Sequence, residues 1–222
     1  LLEDIVIKNG KISQVKINGK LIGTDILVLA IGHSARDTFK MLVKNNLNLV
    51  SKPFAVGVRI IHPQDMINEN QYPINYPFLP PASYKLTYKS KSGRGVYSFC
   101  MCPGGFVVNA KSENDGICVN GMSNYKRDTK YANSAIVVTV GPNDYGVNIL
   151  DGMYFQEMIE KRAYKICDGL IPVQGYEDYK NNVVSKNIDI DAFKGNIGYG
   201  NINDIFPEFI NDSLKEGIDY FD

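Results

Sequence analysis

One uninterrupted apolar run, residues 25–32, does most to limit what this chain can fold into. It reads Asp-Ile-Leu-Val-Leu-Ala-Ile-Gly and lies between turn residues. Such a run is typical of a strand that is buried on both faces of a sheet. The residues before it, 1–20, alternate around Asn9-Gly10 and Asn18-Gly19, and Asn-Gly favours tight hairpin turns. We therefore expect a three-stranded meander, then a buried strand, then a helix over about residues 35–44.

The sequence changes character after residue 50. A proline-rich stretch and short strand-like runs follow, and no helix-length pattern separates them before residue 150. The expected strands are Phe54–Ile61, Ala82–Tyr88, Gly95–Met101, Phe106–Ala110, Gly116–Gly121 and Ser134–Val140; the prolines are Pro73, Pro77, Pro80 and Pro81. Helical spacing predicts helices over about residues 152–167 and 207–216, joined by a loop of about 35 residues. The fold class predicted is α+β, divided at residues 1–50, 51–150 and 151–222.

Composition excludes several classes of partner. The 24 basic and 24 acidic side chains cancel, which removes the usual electrostatic reason to bind nucleic acid or an anionic membrane surface. No uncharged apolar run approaches the roughly 20 residues of a membrane-spanning helix. Four cysteines without a secretion signal indicate a reducing compartment, and we expect the cytoplasm. The chain begins at Leu1 with no initiator methionine, so we interpret it as part of a longer protein.

Several segments carry a resemblance to known flavoproteins. A meander, a buried strand that ends in a small-x-Gly turn and a helix resemble the glutathione-reductase-like FAD-binding fold, with Ala30-Ile31-Gly32 at the turn. Over nearly the whole chain, the sequence resembles a family of bacterial FAD-dependent dehydrogenase-like (NAD/FAD-utilising) proteins. The segments that carry this resemblance are residues 30–38, 52–59, 79–86, 95–105 and 120–122.

The resemblance implies a function as well as a fold. It implies a partial FAD-binding domain followed by a sheet-rich insert and returning helices, in an FAD-dependent oxidoreductase that transfers hydride between flavin and a small-molecule substrate. NAD(P)H is the candidate hydride donor. The Gly-x-Gly-x-x-Gly segment that cradles the FAD pyrophosphate is absent, so we expect this chain alone to be inactive and to lack FAD. The cofactor contacts implied at the turn are Ala30, Gly32, His33 and Ser34.

The region around Cys100 offers a second cofactor surface. Period-two alternation places Ser98, Cys100 and Cys102 on one face, and Gly104 and Gly105 follow. Because glycine has no Cβ, a flat ring or an anionic group could approach the backbone there. We assign Cys102, Gly104 and Gly105 to cofactor binding on this argument. The alternative is that the cysteines are small buried hydrophobes beside a turn.

Reactive thiols at Cys100 and Cys102 would need a lowered pKa, and Arg94 is the only cation nearby in the sequence. Cys100 and Cys102 are therefore candidate catalytic residues, provided that their pKa is lowered. The Cys-x-Cys spacing lacks the paired Cys-x-x-Cys arrangement of structural zinc sites, so the sequence predicts no metal site.

Arginine is the preferred bidentate partner of carboxylates and phosphates, which makes Arg59 and Arg94 candidate substrate-binding residues. Alternation places Arg59 on the same face of its strand as Gly57. An exposed or paired surface arginine is the alternative. His62 is a candidate general base, because imidazole titrates near neutral pH, and a structural histidine is the alternative.

Two other functions stay open. Ser34 follows a strand-like run and precedes a helix, as the nucleophile of a serine hydrolase does, but the fifth residue of that motif is Arg36 instead of glycine. A helix N-cap is the simpler interpretation of Ser34. The other possibility is a non-catalytic binding domain on a degenerate flavoprotein fold, since fold does not determine function.

Overall fold

The computed structural model describes residues 1–72, 78–188 and 191–222, so Pro73 and Pro77 lie outside the described residues. Across these residues every helix is too short or too polar to cross a lipid bilayer. The elements in chain order are β1 (Leu2–Lys8), β2 (Lys11–Ile17), β3 (Lys20–Gly23), α1 (Arg36–Lys44), β4 (Phe54–Pro63), α2 (Gln64–Gln71), β5 (Thr87–Lys89), β6 (Gly95–Cys102), β7 (Gly105–Asn109), β8 (Val119–Ser123), β9 (Tyr131–Val140), α3 (Pro142–Tyr145), α4 (Asp151–Ile166), β10 (Ile171–Val173), α5 (Tyr176–Lys180), β11 (Phe193–Lys194), β12 (Ile197–Tyr199), a 3-10 turn (Ile202–Asp204) and α6 (Glu208–Phe221).

The chain forms two compact units, and the α+β fold class is confirmed. Unit 1 holds Leu1–Lys52 and Pro142–Tyr154, and unit 2 holds Pro53–Gly141 and Phe155–Asp222. Unit 2 therefore contains most of the expected sheet-rich part together with most of the expected C-terminal helical part.

The meander of unit 1 matches the sequence prediction. Strands β1, β2 and β3 form an antiparallel sheet in that order. Asn9 and Gly10 have φ values of 50° and 73°, and Asn18 and Gly19 have 49° and 77°. Positive φ at both central residues is the requirement of the type I′ turn, which asparagine and glycine meet at least cost. Ile5 of β1 packs with Met41 and Leu42 of α1 in a small core.

The next segment of unit 1 corrects two predictions. Residues 25–32 contain no strand, and Ile26 and Val28 are 80% and 82% exposed. A doubly buried strand needs neighbouring strands on both edges, and the described residues place none there. Helix α1 begins at Arg36 with Ala35 as its N-cap, and no side chain caps it. Ser34 contributes only its backbone carbonyl, which accepts a hydrogen bond from Arg36 N at 2.9 Å.

Unit 2 is built on a four-stranded antiparallel sheet in the order β4-β9-β6-β5. One face is apolar: Val96, Ile136 and Val138 are fully buried. Helix α6 contacts β9, β5 and β6, and Gly217 of α6 lies directly against Val96. The helix therefore covers this face, and we call the other one the open face.

A second sheet, in the order β11-β7-β8, also belongs to unit 2. A Cβ at Gly121 of β8 would overlap the side chains of Arg59 and Asn133. Because Arg59 and Asn133 are on the open face by register, β8 packs against part of that face. The glycine permits this close approach of two sheets.

A β-bulge interrupts β6 and corrects the predicted alternation. Phe99 pairs with Ala135 and Cys102 pairs with Asn133, so β6 has one extra residue relative to β9. Cys100 lies in the bulge with φ of 47°. An extra residue moves every later side chain to the other face, so Cys102 does not share a face with Ser98.

The two long helices were predicted well, and the intervening loop was not. Helix α4 confirms the prediction for residues 152–167, and α6 confirms the last helix and continues to Phe221. The stretch expected to be a loop contains β10, α5, β11 and β12. These elements have two to five residues, which is too short for a periodic signal.

Candidate functional site

The open face of the unit 2 sheet carries the candidate site. Arg59 of β4 and Phe99 of β6 both pair with Ala135 of the strand between them, so they lie in one row across the sheet. Phe99 is 60% exposed. Arg59 projects on the face of Gly57, as alternation predicts. Arg59 therefore starts the row on one outer strand, and an accessible aromatic ring is on the other outer strand.

Three hydrogen bonds hold the Arg59 guanidinium in place. Nη1 donates to the Asn133 Oδ1 at 2.6 Å and to the Cys100 carbonyl at 3.2 Å. Nη2 donates to the Asn120 Oδ1 at 3.3 Å. All three acceptors are neutral oxygens, so this part of the site retains the positive charge of Arg59.

Asn133 is the most buried polar residue at this site. Its side chain is 1% exposed, and its Nδ2 has no hydrogen-bond partner among the described residues. A buried donor without an acceptor is rare and destabilising. The sequence signal for this residue is weak: Asn133 and Ser134 are two polar residues within a strand whose other positions are mainly apolar.

His62 lies on the other face of β4 from Arg59, because it pairs with Ala132 and is three residues along the strand, and it belongs to a separate pair. Its Nε2 lies 2.8 Å from the Tyr84 hydroxyl, and its Nδ1 lies 3.4 Å from the Pro63 carbonyl. Since a carbonyl only accepts, Nδ1 carries the proton and Nε2 accepts the hydrogen bond from Tyr84.

Burial shifts both groups of this pair towards their neutral forms. It lowers the pKa of His62 below the usual 6.5, against hydrogen bonds that favour the charged ring. It raises the pKa of Tyr84 to about 12, and a hydrogen bond with Ser134 and the charge of Arg59 oppose that rise. At neutral pH the pair is an uncharged phenol that donates to an uncharged imidazole.

The structure separates the other predicted substrate residue from Arg59. The guanidinium of Arg94 lies 4.3 Å from the ring centroid of Phe209 and donates to the Thr139 carbonyl at 3.3 Å. Thr139 is four residues along β9 from Ala135, which pairs with Arg59. The two arginines thus contact different ends of the sheet, about 13 Å apart along the strand.

The predicted thiols remain accessible. Cys100 is exposed and Cys102 is partly exposed, and the Cys102 Sγ donates to the Cys100 carbonyl at 3.5 Å. A catalytic role for either thiol stays a prediction. Among the described residues, no group of three His, Cys, Asp or Glu side chains is arranged to hold a metal ion.

The glycines after Cys102 are buried against the protein's own backbone. Gly104 has φ of 48°, and a Cβ there would overlap the Arg127 carbonyl. A Cβ at Gly105 would lie 2.6 Å from the Met122 carbonyl. The space beside these two glycines is therefore already occupied by the chain's own backbone.

Gln64 fixes this turn, and sequence reasoning missed it. It is 4% exposed at the start of α2. Its Oε1 accepts from Gly104 N at 2.8 Å, and its Nε2 donates to the Ala82 carbonyl at 3.0 Å and to the Asn68 Oδ1 at 2.9 Å. Polar α2 has no strong apolar periodicity that could have indicated a buried residue.

The cofactor residues expected at the small-x-Gly turn lie in unit 1. Gly32 has φ of 68°, and a Cβ there would meet no atom within 4 Å. Ala30, Gly32 and His33 are exposed, and Ser34 is partly exposed. The backbone of this turn is therefore accessible to a ligand, and its role in binding stays a prediction.

Comparison with known proteins identifies the family. Residues 53–222 match the family described as FAD-dependent protein, C-terminal domain-like. The chain belongs to this family of FAD-dependent proteins. The match begins at Pro53, where unit 2 also begins. This confirms the predicted FAD-dependent family.

A relative from Clostridium beijerinckii, which carries the description "Uncharacterized protein", is 47% identical over 229 residues. That alignment covers 100% of this chain and 43% of the relative. The chain thus spans less than half the length of the relative that it matches.

Proposed function

We propose that this chain is the substrate-domain part of an FAD-dependent oxidoreductase that transfers hydride between flavin and a small molecule. The observation that carries the proposal is the family match over residues 53–222. NAD(P)H is the hydride donor that we propose. Cys100, Cys102 and Cys167 are free thiols, which fits the reducing cytoplasm that we propose as its location.

The residues of this chain fit FAD at one of the two expected places. At Gly32 the left-handed backbone and the open space beside the Cα allow a phosphate or a ribose to approach closely. At Gly104 the Arg127 backbone fills that space. We therefore propose that the turn at Gly32 contacts FAD. When bound, FAD supplies the site that accepts or gives the hydride.

The chain's own chemistry is proton transfer and orientation. Removal of a hydride from an alcohol, an amine or an activated C–H group leaves a proton that a base must take up. The reverse reaction needs a proton from an acid. The Tyr84 hydroxyl donates to a neutral His62, so the pair holds one proton between two uncharged groups. We propose that this pair exchanges the substrate proton.

The test is the absorption spectrum of the full-length protein as purified, followed by anaerobic addition of NADH or NADPH. We expect flavin bands that bleach with one of the nucleotides, and FAD in the supernatant after heat denaturation. Gly32→Ala should lower the ratio of flavin to protein. The matched control is Gly19→Ala, at φ of 77° with no atom within 4 Å of the new Cβ, and it should keep that ratio.

Two outcomes would contradict the proposal. A full-length protein without any flavin would remove the oxidoreductase function and favour the binding domain. Equal loss of flavin in the Gly32→Ala and Gly19→Ala variants would show that the glycine effect is one of folding, not of cofactor contact.

A further inference from the structure

We propose that Arg59 binds a carboxylate of the substrate, and that this substrate is a planar aromatic acid whose ring contacts Phe99. The inference rests on the proposed function only in calling the ligand a substrate. The binding site itself follows from the contacts of Arg59 with Asn133 and from the exposure of Phe99.

The first argument is the unused donors of Arg59. A guanidinium has five N–H groups, and three are used in hydrogen bonds to Asn133, Cys100 and Asn120. Nε–H and one hydrogen on Nη2 have no acceptor among the described residues. Two donors on adjacent nitrogens are what a carboxylate binds in the bidentate mode.

The second argument is charge. Among the described residues Arg59 forms no ion pair, and its partners are two side-chain amides and one carbonyl. These neutral groups fix the guanidinium without cancelling its charge. A side chain that is already held by three hydrogen bonds loses little further conformational entropy when an anion binds, which favours binding.

The third argument is the orphaned amide of Asn133. Its Oδ1 holds Arg59 at 2.6 Å, while the Nδ2 of the same amide has no partner and the residue is 99% buried from solvent, with 1% exposed. An unsatisfied buried donor is rare in folded proteins, and here it belongs to the residue that orients the guanidinium.

The fourth argument concerns the body of the ligand. Arg59 and Phe99 are on the two outer strands of a three-strand row, and strands are spaced by about 4.8 Å, so the two Cα atoms are about 10 Å apart. Small side chains, at Gly57 and Ala135, lie between or beside them on the open face. The Arg59 Nη1 reaches the Cys100 carbonyl, which follows Phe99 in β6, so the guanidinium lies beside the strand that carries Phe99. A ring attached directly to a carboxylate on Arg59 is therefore within reach of the exposed Phe99 ring.

The experiment is isothermal titration calorimetry of the full-length protein with benzoate, and with benzamide as a neutral probe of the same shape. We expect benzoate to bind about tenfold more tightly than benzamide, because it accepts charge-assisted hydrogen bonds from Arg59. Arg59→Met should remove that difference. Lys85→Met, at an exposed position, is the control that should keep it.

Phe99→Ala is a second variant, and we expect it to fold normally, because the side chain is 60% exposed and its loss leaves the core intact. We expect benzoate affinity to fall about fivefold while acetate affinity is unchanged. Equal affinities for benzoate and benzamide in the wild type would overturn the carboxylate site. An unchanged benzoate affinity in Phe99→Ala would overturn the aromatic part of the proposal.

The heat of binding does not depend on hydride transfer, so the two proposals fail separately. A protein without flavin that still prefers benzoate to benzamide would refute the oxidoreductase and leave the carboxylate site standing. A protein whose flavin is reduced by NAD(P)H but that binds the two probes equally would refute the carboxylate site alone.

Discussion

Replacing Gln64 by methionine tests the arrangement that supports the site. Gln64 joins three segments of unit 2 through its bonds to Gly104, Ala82 and Asn68. Methionine has similar length and adapts its shape, so packing is largely kept. The Gly104 N–H and the Ala82 carbonyl, both buried, lose their partners.

Each buried group without a partner costs about 1–3 kcal/mol, so two of them give about 2–6 kcal/mol. We expect about 3 kcal/mol, because the apolar side chain recovers part of the loss by avoiding burial of an amide. With a urea m-value of about 2 kcal/mol/M, the unfolding midpoint of unit 2 should fall by about 1.5 M.

The assay is urea unfolding followed by circular dichroism, with hydrogen exchange of the Gly104 amide as a local measurement. We expect that amide to lose most of its protection in Gln64→Met. Gln71→Met, at an exposed position of the same helix, is the control and should change stability by less than about 0.5 kcal/mol. If the two variants have the same midpoint and Gly104 stays protected, the assigned hydrogen bonds do not stabilise the turn.

Three further predictions follow from the same contacts. Because burial lowers the folded-state pKa of His62 below 6.5, its contribution to stability is complete above about pH 6.5 and is lost as the pH falls through the folded pKa. Thermal melts at about pH 7.5 and about pH 5.5 should therefore show a smaller difference in His62→Gln than in the wild type. Gly104→Ala should destabilise more than Gly93→Ala in chemical unfolding: both positions have positive φ, but only at Gly104 would the new Cβ overlap backbone, while at Gly93 the nearest atom is 3.9 Å away. Backbone amides of residues 25–32 should exchange rapidly in this chain, and slow exchange there would contradict their exposure.

Local rules predicted the parts of the fold that depend on a few neighbouring residues. The two Asn-Gly turns follow from the backbone preferences of their own residues. Helices α4 and α6 are long enough for a periodic pattern. The short elements between them are stabilised by contacts between residues that are distant in the sequence, such as the parallel pairing of β10 with β12. A local sequence pattern does not reveal such contacts.

The apolar run at residues 25–32 shows the opposite limit. Its composition fits a doubly buried strand, but the described residues provide no strands beside it, and Val28 is 82% exposed. Hydrophobic composition predicts burial, and it does not supply the neighbours that make burial possible. The segment is as apolar as a buried strand requires, but the strands that would bury it are not among the described residues.

Sequence patterns singled out Arg59 but not its partners, because four strands build the site. Arg59 contacts residues that are 41, 61 and 74 positions away in the chain, whereas strand alternation relates only residues two apart. The bulge in β6 is the feature that alternation could least predict. It places Cys100 at φ of 47°, a conformation that costs roughly 1–2 kcal/mol for a residue with a Cβ.

The unfavourable backbone of Cys100 has a structural counterpart. Its carbonyl accepts a hydrogen bond from the Arg59 Nη1, and the same extra residue brings Cys102 opposite Asn133, the second partner of that nitrogen. A regular strand would place the carbonyl and the later side chains differently. The cost at Cys100 is therefore linked to the orientation of Arg59, and backbone strain that is maintained beside a fixed, uncompensated charge is typical of binding sites.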